Sequence, residues 1–341
     1  MNGLMKMEKV MQGKKLTMKG NLASALYAAA ALCLALPAGA SAQTLTLKMA
    51  HIYAPGNIWY ETAEAYAKAV EQKSGGKVKM QIAPSGTTGD WPASIEALKI
   101  GTNDIVLQSV GTLDRYGTVA GVEAYPYLVR DVEHFKRVYY GSTGMQLFDE
   151  IASKTKYRIV GAGYRGARHL SSNKPVHNLA ELKGLKLRVP PLKMYRSTWE
   201  YLGGSPVPMG VAELFTSLQQ GVVDGQENPL EVIEGQKYNE VQKYVVETGH
   251  VIGAMTFIFS DARFKALPAD VQKMLKEEGE RVMLEATDRM VALEGEIKKR
   301  LQAKGMQFIE VDTAPFRERL APMAKDFPEL ADWVQKIQAV K

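Results

Sequence analysis

Apolar and polar residues alternate along Leu45-Thr46-Leu47-Lys48-Met49, the period of a half-buried strand, and the run ends at His51 and a Pro55-Gly56 turn. From Trp59 to Lys73 the apolar residues switch to helical spacing, until Gly75-Gly76 stops them. A second strand is predicted over Lys77–Ala83. The loop Pro84-Ser85-Gly86-Thr87-Thr88-Gly89-Asp90-Trp91-Pro92 then leads into a helix over Ala93–Ile100, and a third strand over Asp104–Val110. This β-α-β-α-β opening predicts a mostly parallel sheet with helices on both faces. Further on, Asp131–Ser153 reads as helical and Tyr157–Gly163 as a strand. A second strand is expected to join it across a domain crossover, with Arg168 at the junction. Tyr244–Thr248 and Val251–Phe259 read as strands. Leu267–Lys304 is a long helical pattern of mixed charge, with Gly279 and Gly295 as points where it would bend or break. At 1.5 Å per residue it would reach roughly 55 Å, longer than one small domain. A short strand over Met306–Val311 and helical segments around Phe316–Lys325 and Glu329–Val340 close the chain.

Composition adds the compartment. The chain has 341 residues, 46% of them hydrophobic, enough for one large domain or two moderate ones. Its first 42 residues read as an export signal: Lys14, Lys15 and Lys19 precede an apolar run from Leu22 to Leu36, and Ala40-Ser41-Ala42 is an A-x-A cleavage site, so the mature protein is expected to begin at Gln43 in the periplasm. Those residues hold five lysines against one glutamate, so most of the formal +6 belongs to the leader, and the mature charge is near neutral. No basic stripe interleaved with aromatics is present, which argues against nucleic acid. Cys33, the single cysteine, lies in the apolar run, so disulfide and thiol chemistry are excluded from the mature protein.

Catalytic patterns are lacking. The five histidines, at 51, 134, 169, 177 and 250, have no metal-ligand spacing, and no H-E-x-x-H, G-x-S-x-G or P-loop occurs. The letters G-x-G-x-x-G do appear at Gly161–Gly166, but no helix pattern follows them, and a dinucleotide site is rejected. Asp224 and Glu227 are read as solvated or structural carboxylates. No enzyme, cofactor or metal is expected. What remains is binding chemistry in the stretch from Glu181 to Glu231. A short basic strand ends there at Arg188-Val189-Pro190-Pro191. Asn228 precedes Pro229 after a helix that closes at Gly221. Proline ends regular pairing and holds the preceding residue extended, so both side chains are presented at strand tips, where α/β sheets bind ligands.

The segments Gly184-Leu185-Lys186-Leu187-Arg188-Val189-Pro190 and Leu218-Gln219-Gln220-Gly221-Val222-Val223-Asp224-Gly225-Gln226-Glu227-Asn228-Pro229 resemble the solute-binding receptors of tripartite ATP-independent periplasmic (TRAP) transporters, of the DctP type, and the resemblance extends over nearly all the chain after residue 42. It implies an α/β, two-domain periplasmic-binding-protein-like fold with interleaved domains and a long helix spanning both: domain I over 43–165 and 254–293, domain II over 166–253 and 294–341, with the ligand in the cleft between them. It further implies that Arg188 pairs with a ligand carboxylate, supported by Arg168 and Asn228, and that the ligand passes to the small and large membrane subunits of a TRAP permease. The rest of the pocket is expected from Trp91 and His51, from Gln108 and Ser109 at the end of the third strand, and from Tyr195, Val211 and Phe215 as an apolar wall. Arg168 could instead be a salt bridge between domains, Asn228 a capping amide, and the aromatics simply core. The chain departs from the family's sialic-acid receptors at Pro191, where those have Asn, and at Val211, where they have Phe. Both changes remove contacts, which points to a differently shaped acid: a sugar acid, a hydroxy or keto acid, or an aromatic acid. The alternative is an exported receptor with the same pocket that feeds a sensor kinase rather than a permease.

Overall fold

In the computed structural model, which describes residues 44–341, the opening runs β1 (Leu45–Ala50), α1 (Ile58–Lys73), β2 (Val78–Ala83), α2 (Trp91–Ile100) and β3 (Ile105–Ser109), as the periodicity predicts. β1 pairs in parallel with both β2 and β3. The export signal, Cys33 and the Ala42 cleavage site lie outside the described residues. The helical stretch expected over 131–153 is two helices, α3 (Val132–Tyr139) and α4 (Ser142–Thr155). The break falls at Gly141, where a Cβ would stand 2.4 Å from the Arg137 carbonyl oxygen.

The chain continues through β4 (Tyr157–Ser172), β5 (Lys186–Val189), α5 (Lys193–Tyr201), β6 (Ser205–Pro208), α6 (Leu214–Gln219), β7 (Gly225–Pro229) and α7 (Leu230–Gly235). After β8 (Tyr244–Ser260) come α8 (Asp261–Lys265), α9 (Ala269–Ala303), β9 (Gln307–Ile309), α10 (Ala314–Leu320) and α11 (Ala331–Ala339). The nine strands of the described residues join one sheet in the order β2-β1-β3-β8-β4-β7-β5-β6, with β9 on β8. β4 and β8 are the long antiparallel pair at its middle, running from Tyr157 opposite Ser260 to Ser172 opposite Tyr244. The sequence suggested two strands at each of these places, but each is one strand. Three register shifts, between Val160 and Gly163, Tyr164 and Ala167, and Arg168 and Leu170, take up the irregularity as bulges. Gly161 and Gly166 fall in this bulged region at φ of 69° and 84°, which is why the letters of a dinucleotide loop occur inside a strand.

The core is continuous through the sheet. Helix α1 buries Trp59, Ala63, Tyr66 and Val70 along one face, and Tyr66 stacks on Phe257 of β8 with ring centroids 4.0 Å apart. Helix α9 runs unbroken for 35 residues, about 52 Å at the usual rise. Neither of its glycines breaks it. Gly279 is where the helix crosses β4: a Cβ there would stand 2.5 Å from Val160 Cγ1, and one on Gly161 would stand 2.6 Å from the Gly279 carbonyl oxygen. Gly295 has nothing within 4 Å of a would-be Cβ.

The two helix glycines therefore predict opposite signs. Gly279→Ala should lower stability by about 1–3 kcal/mol through overpacking against β4. Gly295→Ala should raise it by up to about 1 kcal/mol from helix propensity alone. Urea unfolding followed by far-ultraviolet circular dichroism measures both, and equal shifts in the two variants would contradict the close approach at Gly279.

Candidate ligand-binding cavity

Strand β5, second from one edge of the sheet, carries Arg188 between Val207 of β6 on one side and Gln226 of β7 on the other. Pro190 and Pro191 end the strand directly after it. The side chain is 3% exposed, and among the described residues its only hydrogen bond is from Nε to the Met209 carbonyl oxygen, at 2.9 Å. Arg188 belongs to no ion pair in the described residues. Burial pulls its pKa down to about 10, although Tyr238 and Glu227 oppose the shift. The group is still a cation at neutral pH, and most of its N–H fork is unmatched by the protein.

Arg168 contrasts with it. From β4 it donates Nε to Glu227 Oε2 at 2.5 Å and Nη2 to Glu227 Oε1 at 2.6 Å, to the Glu227 carbonyl oxygen at 2.7 Å and to Asn228 Oδ1 at 3.0 Å. Its guanidinium also lies over the Tyr195 ring, 4.8 Å from the centroid. Glu227 is fully buried and has a second partner, His250 Nε2, at 3.0 Å. Burial pushes the His250 imidazole down. The ring is therefore neutral; it donates through Nε2, and its Nδ1 accepts from the Thr248 hydroxyl at 2.8 Å. Burial alone would push the Glu227 carboxyl up. The charge of Arg168 and the hydrogen bonds from His250 and Arg168 outweigh it and hold the carboxyl at about 2.

A cavity of about 320 Å³ opens beside Arg188. Its wall includes Tyr53, Asn57, Trp91, Arg165, Asn228 and Glu231. Arg165 enters from β4, 3% exposed, with its guanidinium 5.2 Å from the centre of the Trp91 ring. It donates Nε to Glu231 Oε1 at 3.3 Å. Glu231, in the first turn of α7, also accepts from Trp59 Nε1 at 3.2 Å and Asn57 Nδ2 at 3.4 Å. Burial pushes its carboxyl up, against the charge of Arg165 and these donors.

Of the residues expected at the pocket, Arg188, Asn228, Trp91 and Val211 line this cavity. The others do not line it. Arg168 faces Glu227, and Tyr195 packs beneath Arg168. His51 is 2% exposed, accepts at Nδ1 from the Tyr53 amide at 3.2 Å and stacks on that tyrosine, which itself lines the cavity. Gln108 donates to the Trp91 carbonyl oxygen at 3.1 Å, and Ser109 to the buried Glu123 carboxylate at 2.9 Å. Phe215, on α6, packs half-buried against the core. Sequence reasoning missed Arg165, Glu231, Tyr53 and Asn57. Arg165 was visible three residues before Arg168, but regular alternation puts residues three apart on opposite faces of a strand. A register shift between Tyr164 and Ala167 also interrupts the alternation there.

Residues 49–330 match the family model described as bacterial extracellular solute-binding protein, family 7 (DctP). The chain belongs to this family. A solute-binding protein of Roseobacter denitrificans is 33% identical over 85% of this chain and 89% of its own. The structure of a TRAP periplasmic solute-binding protein from a Polaromonas species bound to D-erythronate superposes with a TM-score of 0.83, at 30% identity over 87% of this chain and 99% of that one. The sialic acid-binding periplasmic protein SiaP of Vibrio cholerae is 32% identical over 87% of this chain and 92% of its own. The mixed α/β architecture is therefore that of TRAP solute-binding proteins, and members of the family bind substrates for transport rather than converting them. Among the described residues no helix is long and apolar enough to cross a membrane, and no cluster of three metal-ligating side chains occurs.

The buried Arg168–Glu227 pair predicts an acid-sensitive fold. The Glu227 carboxyl titrates at about 2 in the folded protein against an ordinary value of 4.5, so its stabilisation is complete above pH 4.5 and is lost as pH falls from there towards 2. Glu227→Gln should cost about 3–5 kcal/mol at neutral pH, because Arg168 would remain buried without its counterion. It should also flatten the loss below pH 4.5. Denaturant melts of both proteins between pH 7 and pH 3 check this; a variant as stable as the parent at pH 7 would remove the pair from the stabilising interactions.

Proposed function

We propose that this protein is a periplasmic receptor that captures a small organic acid by pairing the ligand carboxylate with Arg188 and delivers it to a TRAP permease. The observation that carries the reading is the charge of Arg188 at the cavity wall, buried and matched inside the protein by a single carbonyl. A buried cation without a counterion is costly, and a carboxylate that accepts two parallel N–H bonds from its fork relieves that cost and fixes the ligand's orientation. Asn228, which also lines the cavity, accepts from Arg168 through Oδ1 and donates through Nδ2 to Gln226. Arg168 thus serves the carboxylate indirectly, by holding Asn228 at the cavity wall.

The cavity draws Tyr53, Asn57, Trp91 and Arg165 from the first proposed domain, and Arg188, Val211, Asn228 and Glu231 from the second. That mixture supports a ligand enclosed between two lobes that close on it. Sugar acids are the leading ligand class. The Polaromonas structure holds D-erythronate, the solved structure of the Roseobacter relative holds L-galactonate, and a Pseudomonas putida neighbour holds D-glucuronate. Membership of the family supports delivery to the two membrane subunits.

Thermal melting of the protein against a panel of small carboxylic acids tests the reading. An acid at 100 times its dissociation constant should add about 2.7 kcal/mol of stability. Arg188→Ala should abolish the response while the variant keeps its far-ultraviolet spectrum. Equal shifts in parent and variant would mean that Arg188 does not anchor the carboxylate.

A further inference from the structure

Pairing a carboxylate with Arg188 leaves a second buried arginine of the same cavity unused. The charged residues of the wall are Arg165, Arg188, Glu231, Glu234 and Arg300. Arg300 and Glu234 neutralise each other in a two-bond fork, with Nε–Oε1 at 2.9 Å and Nη2–Oε2 at 2.7 Å, and Arg300 is about half exposed. Arg165 and Glu231 also balance in charge, but they share a single contact of 3.3 Å, both almost fully buried. That leaves donors on the Arg165 guanidinium and acceptor capacity on the Glu231 carboxylate. Arg188 is the one charge in the wall with no opposite among the described residues.

The two arginines also enter from different ends. Arg188 lies beside Gln226, near the start of β7. The ladder between β4 and β7 runs from Ser172 opposite Gly225 to Arg168 opposite Pro229, and Arg165 lies beyond its last pair. A ligand held by its carboxylate at Arg188 therefore extends toward the Arg165–Glu231 pair. A hydroxyl both donates and accepts, and meets such a pair on equal terms. A second carboxylate would face the Glu231 oxygens, and a bare alkyl chain would dry the pair without replacing its hydrogen bonds.

We propose that the Arg165–Glu231 pair reads hydroxyl groups at the far end of the ligand and excludes a second carboxylate there, so that the ligand is a polyhydroxy monocarboxylate. This rests on the carboxylate pairing at Arg188. Glu231 sets the preference by cancelling Arg165.

Six-carbon acids separate the possibilities by titration calorimetry: D-gluconate, L-galactonate and D-glucuronate as hydroxylated monocarboxylates, hexanoate as the bare chain, and adipate as the dicarboxylate. The tightest hydroxylated acid should bind the parent protein about 10-fold or more above hexanoate and adipate, the scale of one charged hydrogen bond. Glu231→Gln leaves Arg165 without its counterion, and should weaken the hydroxylated acid and strengthen adipate by about 10-fold each. Adipate or hexanoate binding the parent as tightly as the best sugar acid would overturn the proposal and leave the carboxylate reading standing. A folded Glu231→Gln protein with an unchanged ranking would also overturn it. If none of the five acids binds the parent, this proposal falls, while the receptor reading is decided separately by the Arg188→Ala melts against the panel of small carboxylic acids.

Discussion

Two buried arginines, twenty residues apart in sequence, divide the work of this site, and the division depends on one carboxylate. Glu227 accepts from Nε and Nη2 of Arg168 and from a neutral imidazole besides. An ion pair in a dry interior is tolerable when other groups meet its remaining lone pairs and protons, and here Asn228 and His250, the latter oriented by Thr248, meet several of them. With Arg168 satisfied inside the protein, Arg188 is left as the cation whose partner must come from outside. The same residue that holds Arg168 inside the protein thereby defines where an anion can go.

This arrangement also explains why β7 matters out of proportion to its five residues. It lies between β4 and β5, so it separates the strand that carries Arg168 from the strand that carries Arg188. Gln226, Glu227 and Asn228 are buried, and each touches polar side chains of the site or of the strands beside it. Glu231 follows within one helical turn. A polar sequence in a buried central strand would be a defect in a simple core. Here each of its polar side chains has a partner, and the network fixes Asn228 at the cavity wall.

Much of this was legible in the sequence. The β-α-β-α-β opening, the long helix near the C-terminal end and the Arg188-Val189-Pro190-Pro191 strand tip follow from periodicity and from proline, both of which are local. The failures share a cause. β4 and β8 read as broken because bulges disturb alternation without ending a strand, and pairing between residues some ninety apart in sequence holds them together. Gly279 reads as a helix breaker until the strand beneath it is seen. Arg165 and Glu231 were invisible as a pair because they meet only through the fold, 66 positions apart. His51, Gln108 and Ser109 were placed at the correct ends of their strands, but strand position does not say which side of a loop a side chain will face.

The far side of the sheet has a property of its own. β6 is a terminal strand, and the amides of Ser205 and Met209 donate inward, to the carbonyl oxygens of Leu185 and Val189. In a strand the amides alternate in direction, so the outward-facing ones belong to residues 206 and 208. Both are proline. The open edge therefore presents carbonyl oxygens and no donors, and another polypeptide cannot lay itself alongside as a further strand. Four residues thus end the sheet at this edge chemically as well as geometrically.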